Sequence, residues 1–130
     1  MSYTVLVVDD DPDDLEITRR ALAKIGCGVT CLTACRGEDA LALLRGRGEL
    51  PSLILLDLKM PGMNGIDTLR QIRADGRLKH IPVIMVTNST LESDRSAALA
   101  AGANAFLHKA FDLDQYGRDI QDQLERWVKE

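Results

Sequence analysis

The sequence predicts one α/β domain in which a five-stranded parallel sheet is covered by helices on both faces. Five short apolar runs divide the 130 residues, and each is followed by a stretch whose apolar residues recur at helical spacing. Most of the runs contain no polar residue, which is typical of strands buried on both faces of a parallel sheet. This alternation implies right-handed βαβ crossovers and an open, doubly wound sheet.

The first strand is predicted at Val5–Val8. Asp11 and then Pro12 have the residue types expected for the N-cap and first position of the helix that follows, and Gly26 is expected to end that helix. Leu15, Leu22 and Ile25 recur in it at helical spacing. The second strand, Val29–Ala34, is more polar than the first, so we expect it nearer an edge of the sheet.

The second helix is predicted to be short, from Gly37 to Arg45, and to end in a stretch with two glycines. The third strand is the run Leu53–Leu56, and Asp57 ends it. The composition of Pro61–Gly65 predicts a loop. The helix after this loop is indicated by three apolar residues: Ile66, Leu69 and Ile72.

The fourth strand is predicted at Ile81–Val86, with its proline near the start, where it is tolerated. Ser89–Glu92 resembles a capping box that opens an alanine-rich helix ending at Gly102. Ala105–Leu107 is the fifth strand, and Asp112–Gln115 caps the last helix. This helix carries one apolar stripe: Leu113, Tyr116, Ile120, Leu124 and Trp127.

Three carboxylates are expected to meet at the rim of this sheet. The simplest arrangement of five such strands is the flavodoxin-like order 2-1-3-4-5, whose switch point lies between strands one and three at their C-terminal ends. Asp9 and Asp10 end the first run and Asp57 ends the third. Carboxylates at such short distances repel one another, and a bound proton or cation is needed to offset the repulsion. Mg²⁺ suits such oxygen ligands and also accepts phosphate oxygens, so the cluster points to chemistry on phosphate.

Composition and charge exclude several classes of protein. The net charge is −4, and no basic stripe of the kind expected for direct nucleic-acid binding is present. No apolar stretch approaches the ~20 residues of a membrane span, and the N-terminus does not resemble a signal peptide. We therefore expect a cytoplasmic protein without membrane association.

The even spacing of Cys27, Cys31 and Cys35 invites a metal interpretation, which we reject. No histidine or fourth cysteine lies nearby, and the intervening residues form a predicted strand. Reduced thiols, some acting as small core residues, are the expected state.

Two further polar residues complete a recognisable set, because Thr87 ends the fourth apolar run and Lys109 follows the fifth. The chain resembles the receiver domain of bacterial two-component response regulators over essentially its whole length. The matching features are Val8-Asp9-Asp10, Asp57 followed by Met60-Pro61 and Gly65, Thr87, Gly102-Ala103, and Phe106 three residues before Lys109. Each feature is weak alone, and their order and spacing make the match specific.

The resemblance implies a phosphoacceptor and a metal site. Asp57 would accept a phosphoryl group from a sensor histidine kinase, a phosphotransfer protein or a small phosphodonor. Asp10, Asp57 and the backbone carbonyl of Lys59 would coordinate Mg²⁺, and Asp9 would reach the ion through water. The protein would be a signalling switch that catalyses phosphorylation and hydrolysis of its own aspartate, and not a metabolic enzyme.

The resemblance also implies a switch and an output surface. Lys109 would pair with phosphoryl oxygens, the Thr87 hydroxyl would bond to another oxygen, and the Phe106 ring would turn inward behind Thr87. The fourth helix, fifth strand and fifth helix would then bind a downstream protein or form a homodimer.

Three positions depart from the commonest family pattern. Ala110 follows Lys109 where proline with a cis bond is usual, and we predict a trans bond because cis geometry without proline costs ~2.5–4 kcal/mol. Asn88 is larger than the usual residue after Thr87 and is expected to restrict access to the acceptor. Lys59 places a charge beside Asp57, with an effect on dephosphorylation whose direction the sequence does not give.

Several interpretations compete with these assignments. Asp13 and Asp14 are interpreted as first-turn residues that favour the helix dipole, and His80 and His108 as structural or exposed. Because Trp127 lies almost at the end, residues 1–130 are expected to be a receiver domain without an effector domain. In this, and in its opening Val7–Asp14, the chain resembles the single-domain regulators paired with bacterial phytochromes. The alternatives are a pseudo-receiver that binds partners without phosphorylation and an intermediate carrier in a multistep relay. A metabolite phosphatase is disfavoured, because Lys59 stands where such enzymes tend to carry a second acid.

Overall fold

The computed structural model describes residues 3–25, 28–60, 62–88, 91–109 and 112–128. Within these ranges five parallel strands alternate with five helices. The elements are β1 (Tyr3–Val8), α1 (Pro12–Ala23), β2 (Val29–Ala34), α2 (Gly37–Gly46), β3 (Leu53–Asp57), α3 (Gly65–Ala74), β4 (Val83–Thr87), α4 (Glu92–Ala100), β5 (Ala105–His108) and α5 (Leu113–Trp127). The strand order β2-β1-β3-β4-β5 confirms the predicted fold class and places the more polar β2 at an edge.

The sheet separates two apolar cores, because successive side chains of a strand point to opposite faces. Val5 and Val7 of β1 pack with residues of α1 and α5 on one face. Leu6 and Val8 pack with residues of α2, α3 and α4 on the other. Burial on both faces, worth about 1.5–3 kcal/mol for each large apolar side chain, stabilises the central strands and fixes their register.

The register brings the C-terminal ends of the strands to one edge. Val8, at the end of β1, pairs with Leu56 and so lies next to Asp57. Asp57 pairs with Val86 of β4, and Thr87 is the next residue of that strand. The polar residues that follow the apolar runs therefore meet where the topology predicted.

The start of β4 differs from the prediction. The strand begins at Val83, two residues later than expected. Pro82 has no N–H to donate to the ladder, although its carbonyl accepts a hydrogen bond from the Ile54 N–H at 2.9 Å. Ile81 and Pro82 therefore lead into the strand without belonging to it.

The start of α4 also differs. The helix begins at Glu92, with Leu91 at the N-cap position and no side-chain capping bond. The predicted capping box would have required Ser89 at that position, and Ser89 and Thr90 lie outside the described residues. The helix ends at Ala100, and Gly102 follows with a positive φ of 109°.

Both helices on the α1–α5 face have the caps that the sequence predicts. The Asp11 carboxylate accepts the Asp13 N–H at 2.9 Å, and the Asp112 carboxylate accepts the Asp114 N–H at 2.9 Å. The helix α1 ends earlier than predicted, at Ala23 with Lys24 as its C-cap, so Ile25 follows the helix; Gly26 itself lies outside the described residues. At 15 residues α5 is the longest helix of the described ranges, and no helix there is long and apolar enough to cross a membrane.

Candidate functional site

An open pocket of about 560 Å³ lies at the C-terminal edge of the sheet. It is bordered by residues that end or follow β1, β3, β4 and β5 and by the first turn of α1. The lining residues are Asp9, Asp10, Asp11, Asp14, Asp57, Lys59, Thr87, Asn88, Leu91 and Lys109. Six of the seven residues predicted for the site line this pocket, and only Phe106 lies outside it.

Three carboxylates are close enough to share one cation. One oxygen from each of Asp9, Asp10 and Asp57 lies within 4.8 Å of the other two. Asp9 and Asp57 are buried, with 3% and 8% of their surface exposed, whereas Asp10 is exposed. The Asp11 N–H donates to Asp9 Oδ1 at 3.0 Å, which fixes that carboxylate as the chain turns into α1.

Lys109 brings an ammonium group to the same cluster. Its backbone N–H donates to the Thr87 carbonyl at 2.9 Å and so continues the β4–β5 ladder beyond the end of β5. Its Nζ lies 2.7 Å from Asp9 Oδ2, 2.8 Å from Asp14 Oδ2 and 3.7 Å from Asp57 Oδ1. One partly buried ammonium therefore faces three carboxylates.

Burial and like charges shift the acidities of this cluster. Burial, and then the nearby Asp9 charge, raise the pKa of Asp57 to about 7, although Lys109 opposes the shift. Burial also raises the pKa of Asp9, against the lowering effect of its bonds from Lys109 and Asp11. Burial alone would lower the pKa of Lys109, but the bonds to Asp14 and Asp9 raise it overall, so the ammonium stays protonated.

The residues around β4 and β5 show how the pocket connects to the rest of the sheet. Thr87 is buried and lines the pocket, and the exposed Asn88 beside it also lines the pocket. The carbonyl of Asn88 lies 3.0 Å from His108 Nε2, a contact that the sequence did not indicate. Phe106 pairs with Met85 and is partly buried against the core that α4 covers.

Gly65 lets α3 begin directly against the end of β3. A Cβ at this position would lie 2.2 Å from the Asp57 carbonyl oxygen and 2.8 Å from Leu58 Cα. The Gly65 N–H donates to the Leu58 carbonyl at 3.0 Å and closes the loop that contains Lys59. The Lys59 ammonium lies 3.6 Å from the Asp94 carboxylate in the first turn of α4.

The donor set fits a hard divalent cation. Three carboxylate oxygens within 4.8 Å of one another are ligands of the type that Mg²⁺ and Mn²⁺ prefer, and the open pocket leaves room for water or phosphate oxygens. A cation would also offset the repulsion that raises the pKa of Asp57.

Asp14 is the site residue that sequence reasoning missed. It does lie in the first turn of α1, as predicted, but its carboxylate also accepts a hydrogen bond from Lys109, 95 residues away. Helical Cα–Cβ bonds tilt towards the N-terminus of the helix, and α1 begins at the edge where the acids meet. That direction is the signal that could have identified Asp14.

Two further sequence predictions concern the bond after Lys109 and the cysteines. The predicted trans Lys109–Ala110 bond lies outside the described residues. Cys31 is partly buried and Cys35 is exposed, both as free thiols, and neither belongs to the acidic cluster.

Comparison with known proteins gives the family. The model of the response regulator receiver domain matches residues 5–121. The protein PilH of Pseudomonas aeruginosa is 38% identical over 120 residues, which cover 92% of this chain and 96% of PilH. Other relatives are longer: the chain spans 13% of the sensor histidine kinase CheAY of Helicobacter pylori and 52% of the DNA-binding response regulator MtrA of Mycolicibacterium smegmatis.

Solved structures agree with this assignment. The phosphorylated cyanobacterial phytochrome response regulator RcpA superimposes with a TM-score of 0.85 at 29% identity, covering 98% of this chain and 94% of that one. The Mn²⁺-bound response regulator Rcp1 gives a TM-score of 0.81 at 28% identity, covering 98% and 95%. With its flavodoxin-like sheet and its acidic edge, the chain belongs to the response regulator receiver domain family.

Proposed function

We propose that this chain is a phosphorylation-controlled switch of two-component signalling that accepts a phosphoryl group on Asp57. The observation that carries the proposal is the placement of one buried carboxylate 3.7 Å from an ammonium and within 4.8 Å of two other acids. The donor would be a sensor histidine kinase or a phosphotransfer protein in the cytoplasm. Membership of the receiver family supports this choice of partner.

The chemistry needs little beyond position and charge. An Asp57 oxygen attacks the phosphorus of a phosphohistidine, a P–O bond forms as the P–N bond breaks, and the imidazole leaves with a proton from solvent. Positioning and charge neutralisation dominate the catalysis of such transfers. Lys109, held protonated by its carboxylate partners, supplies a fixed positive charge next to the incoming phosphoryl oxygens.

We propose that Mg²⁺ is the resident cation. Asp10, Asp57 and the Lys59 carbonyl would hold it, with Asp9 reaching it through water. When bound, the ion supplies positive charge to the acceptor and to phosphoryl oxygens. The three clustered carboxylates support a divalent ion, and the related Rcp1 was solved with Mn²⁺.

The proposed output is a change on the face formed by α4, β5 and α5. A phosphoryl group on Asp57 would attract the Thr87 hydroxyl, and the Phe106 ring would fill the space that Thr87 leaves. Leu99 of α4 is 40% exposed, which fits a protein partner or a second copy of the chain at this helix. A coupling free energy of ~1–3 kcal/mol is typical of such switches.

Intact-mass analysis after treatment with a small phosphodonor and Mg²⁺ tests the acceptor. The wild type should gain the mass of one phosphoryl group and Asp57→Asn should not. The exposed Asp122→Asn of α5 is a matched control, because it makes the same chemical change away from the pocket. The same gain on Asp57→Asn would displace Asp57 as the acceptor, and no gain on any variant would favour a pseudo-receiver.

The departures from the family pattern modify this function. We propose that Asn88, exposed at the rim of the pocket, slows phosphorylation by small donors or prolongs the life of the phosphoryl group. Asn88→Ala should then be phosphorylated or hydrolysed faster than the wild type. Equal rates for both steps would remove Asn88 as a barrier.

A further inference from the structure

We propose that Asp14 is a positioning residue for the proposed phosphoryl transfer, the counter-ion that keeps the Lys109 ammonium beside Asp57 when a cation binds the other carboxylates. The inference rests on the proposed function, because Lys109 matters there only if Asp57 is phosphorylated. The contact on which it stands is independent of that function. Asp14 Oδ2 lies 2.8 Å from Lys109 Nζ.

The hydrogen bonds of Lys109 fix its orientation. An ammonium group has three N–H donors. Asp9 at 2.7 Å and Asp14 at 2.8 Å take two of them. The third is left for the side on which Asp57 lies at 3.7 Å, the direction from which a phosphoryl oxygen would be bound.

Asp14 differs from the other carboxylates around Lys109 because it is not part of the metal cluster. The oxygens that lie within 4.8 Å of one another belong to Asp9, Asp10 and Asp57. A divalent cation there would attract the carboxylates of Asp9 and Asp57, which would weaken their interaction with Lys109, and it would repel the ammonium. Asp14 lies outside that cluster, so its carboxylate would still be available to pair with Lys109; its side chain is 23% exposed.

A second pocket offers the Lys109 side chain an alternative position. This second pocket, of about 430 Å³, adjoins the pocket that contains Asp57. Both are lined by Asp14, Asn88 and Lys109. Ile17, Leu113 and Tyr116 are among the other residues that line it. If Asp14 lost its charge, a cation-repelled Lys109 side chain could turn into this space and away from Asp57.

Labelling of amines tests the positioning directly and does not require phosphorylation. Wild type, Asp14→Asn and Asp13→Asn would be treated with acetic anhydride, with and without Mg²⁺, and modification of Lys109 would be quantified on peptides. Asp13 is the matched control, because it lies in the same turn of α1 but is exposed and does not line the pocket. With Mg²⁺, Lys109 of Asp14→Asn should be labelled about ten-fold faster than that of the wild type, as expected for loss of one charge-assisted bond. Equal labelling of the three proteins would overturn the proposal.

The rate of phosphorylation by a small donor at saturating Mg²⁺ tests the consequence. Asp14→Asn should be about ten-fold slower than Asp13→Asn. Asp14→Glu, which keeps the charge, should recover most of both the protection and the rate. Equal rates for Asp14→Asn and Asp13→Asn would overturn the positioning role. A wild type that is never phosphorylated on Asp57 would instead overturn the proposed function, while labelling would still decide whether Asp14 holds Lys109.

Discussion

The surroundings of Asp57 favour its protonated form. Its pKa is raised to about 7, so the neutral form of Asp57 is populated near neutral pH when no cation is bound. Burial and the Asp9 charge cause this shift, and Lys109 offsets only part of it. Added positive charge would favour the ionised form of Asp57, which supports the proposal that the acidic cluster holds a cation.

Asp57→Asn should stabilise the metal-free protein. In EDTA at pH 8 we expect the free energy of unfolding to rise by about 1–3 kcal/mol, because the substitution removes a buried charge that repels Asp9 and Asp10. Urea denaturation of both proteins measures the change. Asp122→Asn, exposed on α5, should stay within about 0.5 kcal/mol of the wild type.

The same pair of proteins should show a defined dependence on pH. The pKa of Asp57 is about 7 in the folded state, above the ~3.9 of an unfolded aspartate. At this group the folded state therefore binds more protons between pH ~4 and 7, so the destabilising contribution of Asp57 decreases as the pH falls through this range. The advantage of Asp57→Asn should shrink in parallel, and an advantage that is constant from pH 8 to pH 5 would contradict the assigned cause.

At the scale of elements, the position of Asp57 depends on how closely α3 follows β3. Gly65 begins α3, and its N–H bonds to the Leu58 carbonyl one residue after Asp57. The bulk that a side chain would add at Gly65 falls on backbone atoms of β3 and the following loop, which cannot rotate away. The position of the loop between β3 and α3 therefore depends on the absence of a Cβ at Gly65.

Gly65→Ala should lower the free energy of unfolding by about 1–3 kcal/mol and displace the loop between β3 and α3. The reason is the 2.2 Å approach of the added Cβ to the Asp57 carbonyl oxygen. Thermal and urea denaturation measure the stability. Gly76→Ala is the control, because an added Cβ meets nothing within 4 Å there, and an equal loss in both variants would refute the steric explanation.

The elements also show what the sequence could predict. Apolar runs located the five strands, and the N-caps Asp11 and Asp112 were correct, because these signals are local. The start of β4 was misplaced because the apolar run continues through Pro82, which cannot donate to the ladder. The Lys109–Asp14 bond was missed because it joins residues 95 positions apart, and the direction of first-turn side chains in α1 indicates the edge of the sheet but not the partner.

At the scale of the whole molecule, the site couples distant parts of the chain. Asp9 and Asp10 follow β1, Asp57 ends β3 and Lys109 follows β5, so these residues meet only when the complete sheet has formed. An unfolded chain holds no such cluster. A cation that binds the assembled carboxylates must therefore stabilise the whole fold.

Mg²⁺ should raise the stability of the wild type with the concentration dependence of a single site. At ten times the dissociation constant the gain should be about 1.4 kcal/mol, and each further ten-fold increase should add about the same. Thermal denaturation across a MgCl₂ series measures the effect, with KCl at matched ionic strength separating it from screening. Asp10→Asn removes one carboxylate of the cluster and should flatten the response, whereas Asp13→Asn should keep it. An equal response to Mg²⁺ in the wild type and Asp10→Asn would show that the ion acts elsewhere, and the three acids would then be a repulsive cluster without a metal.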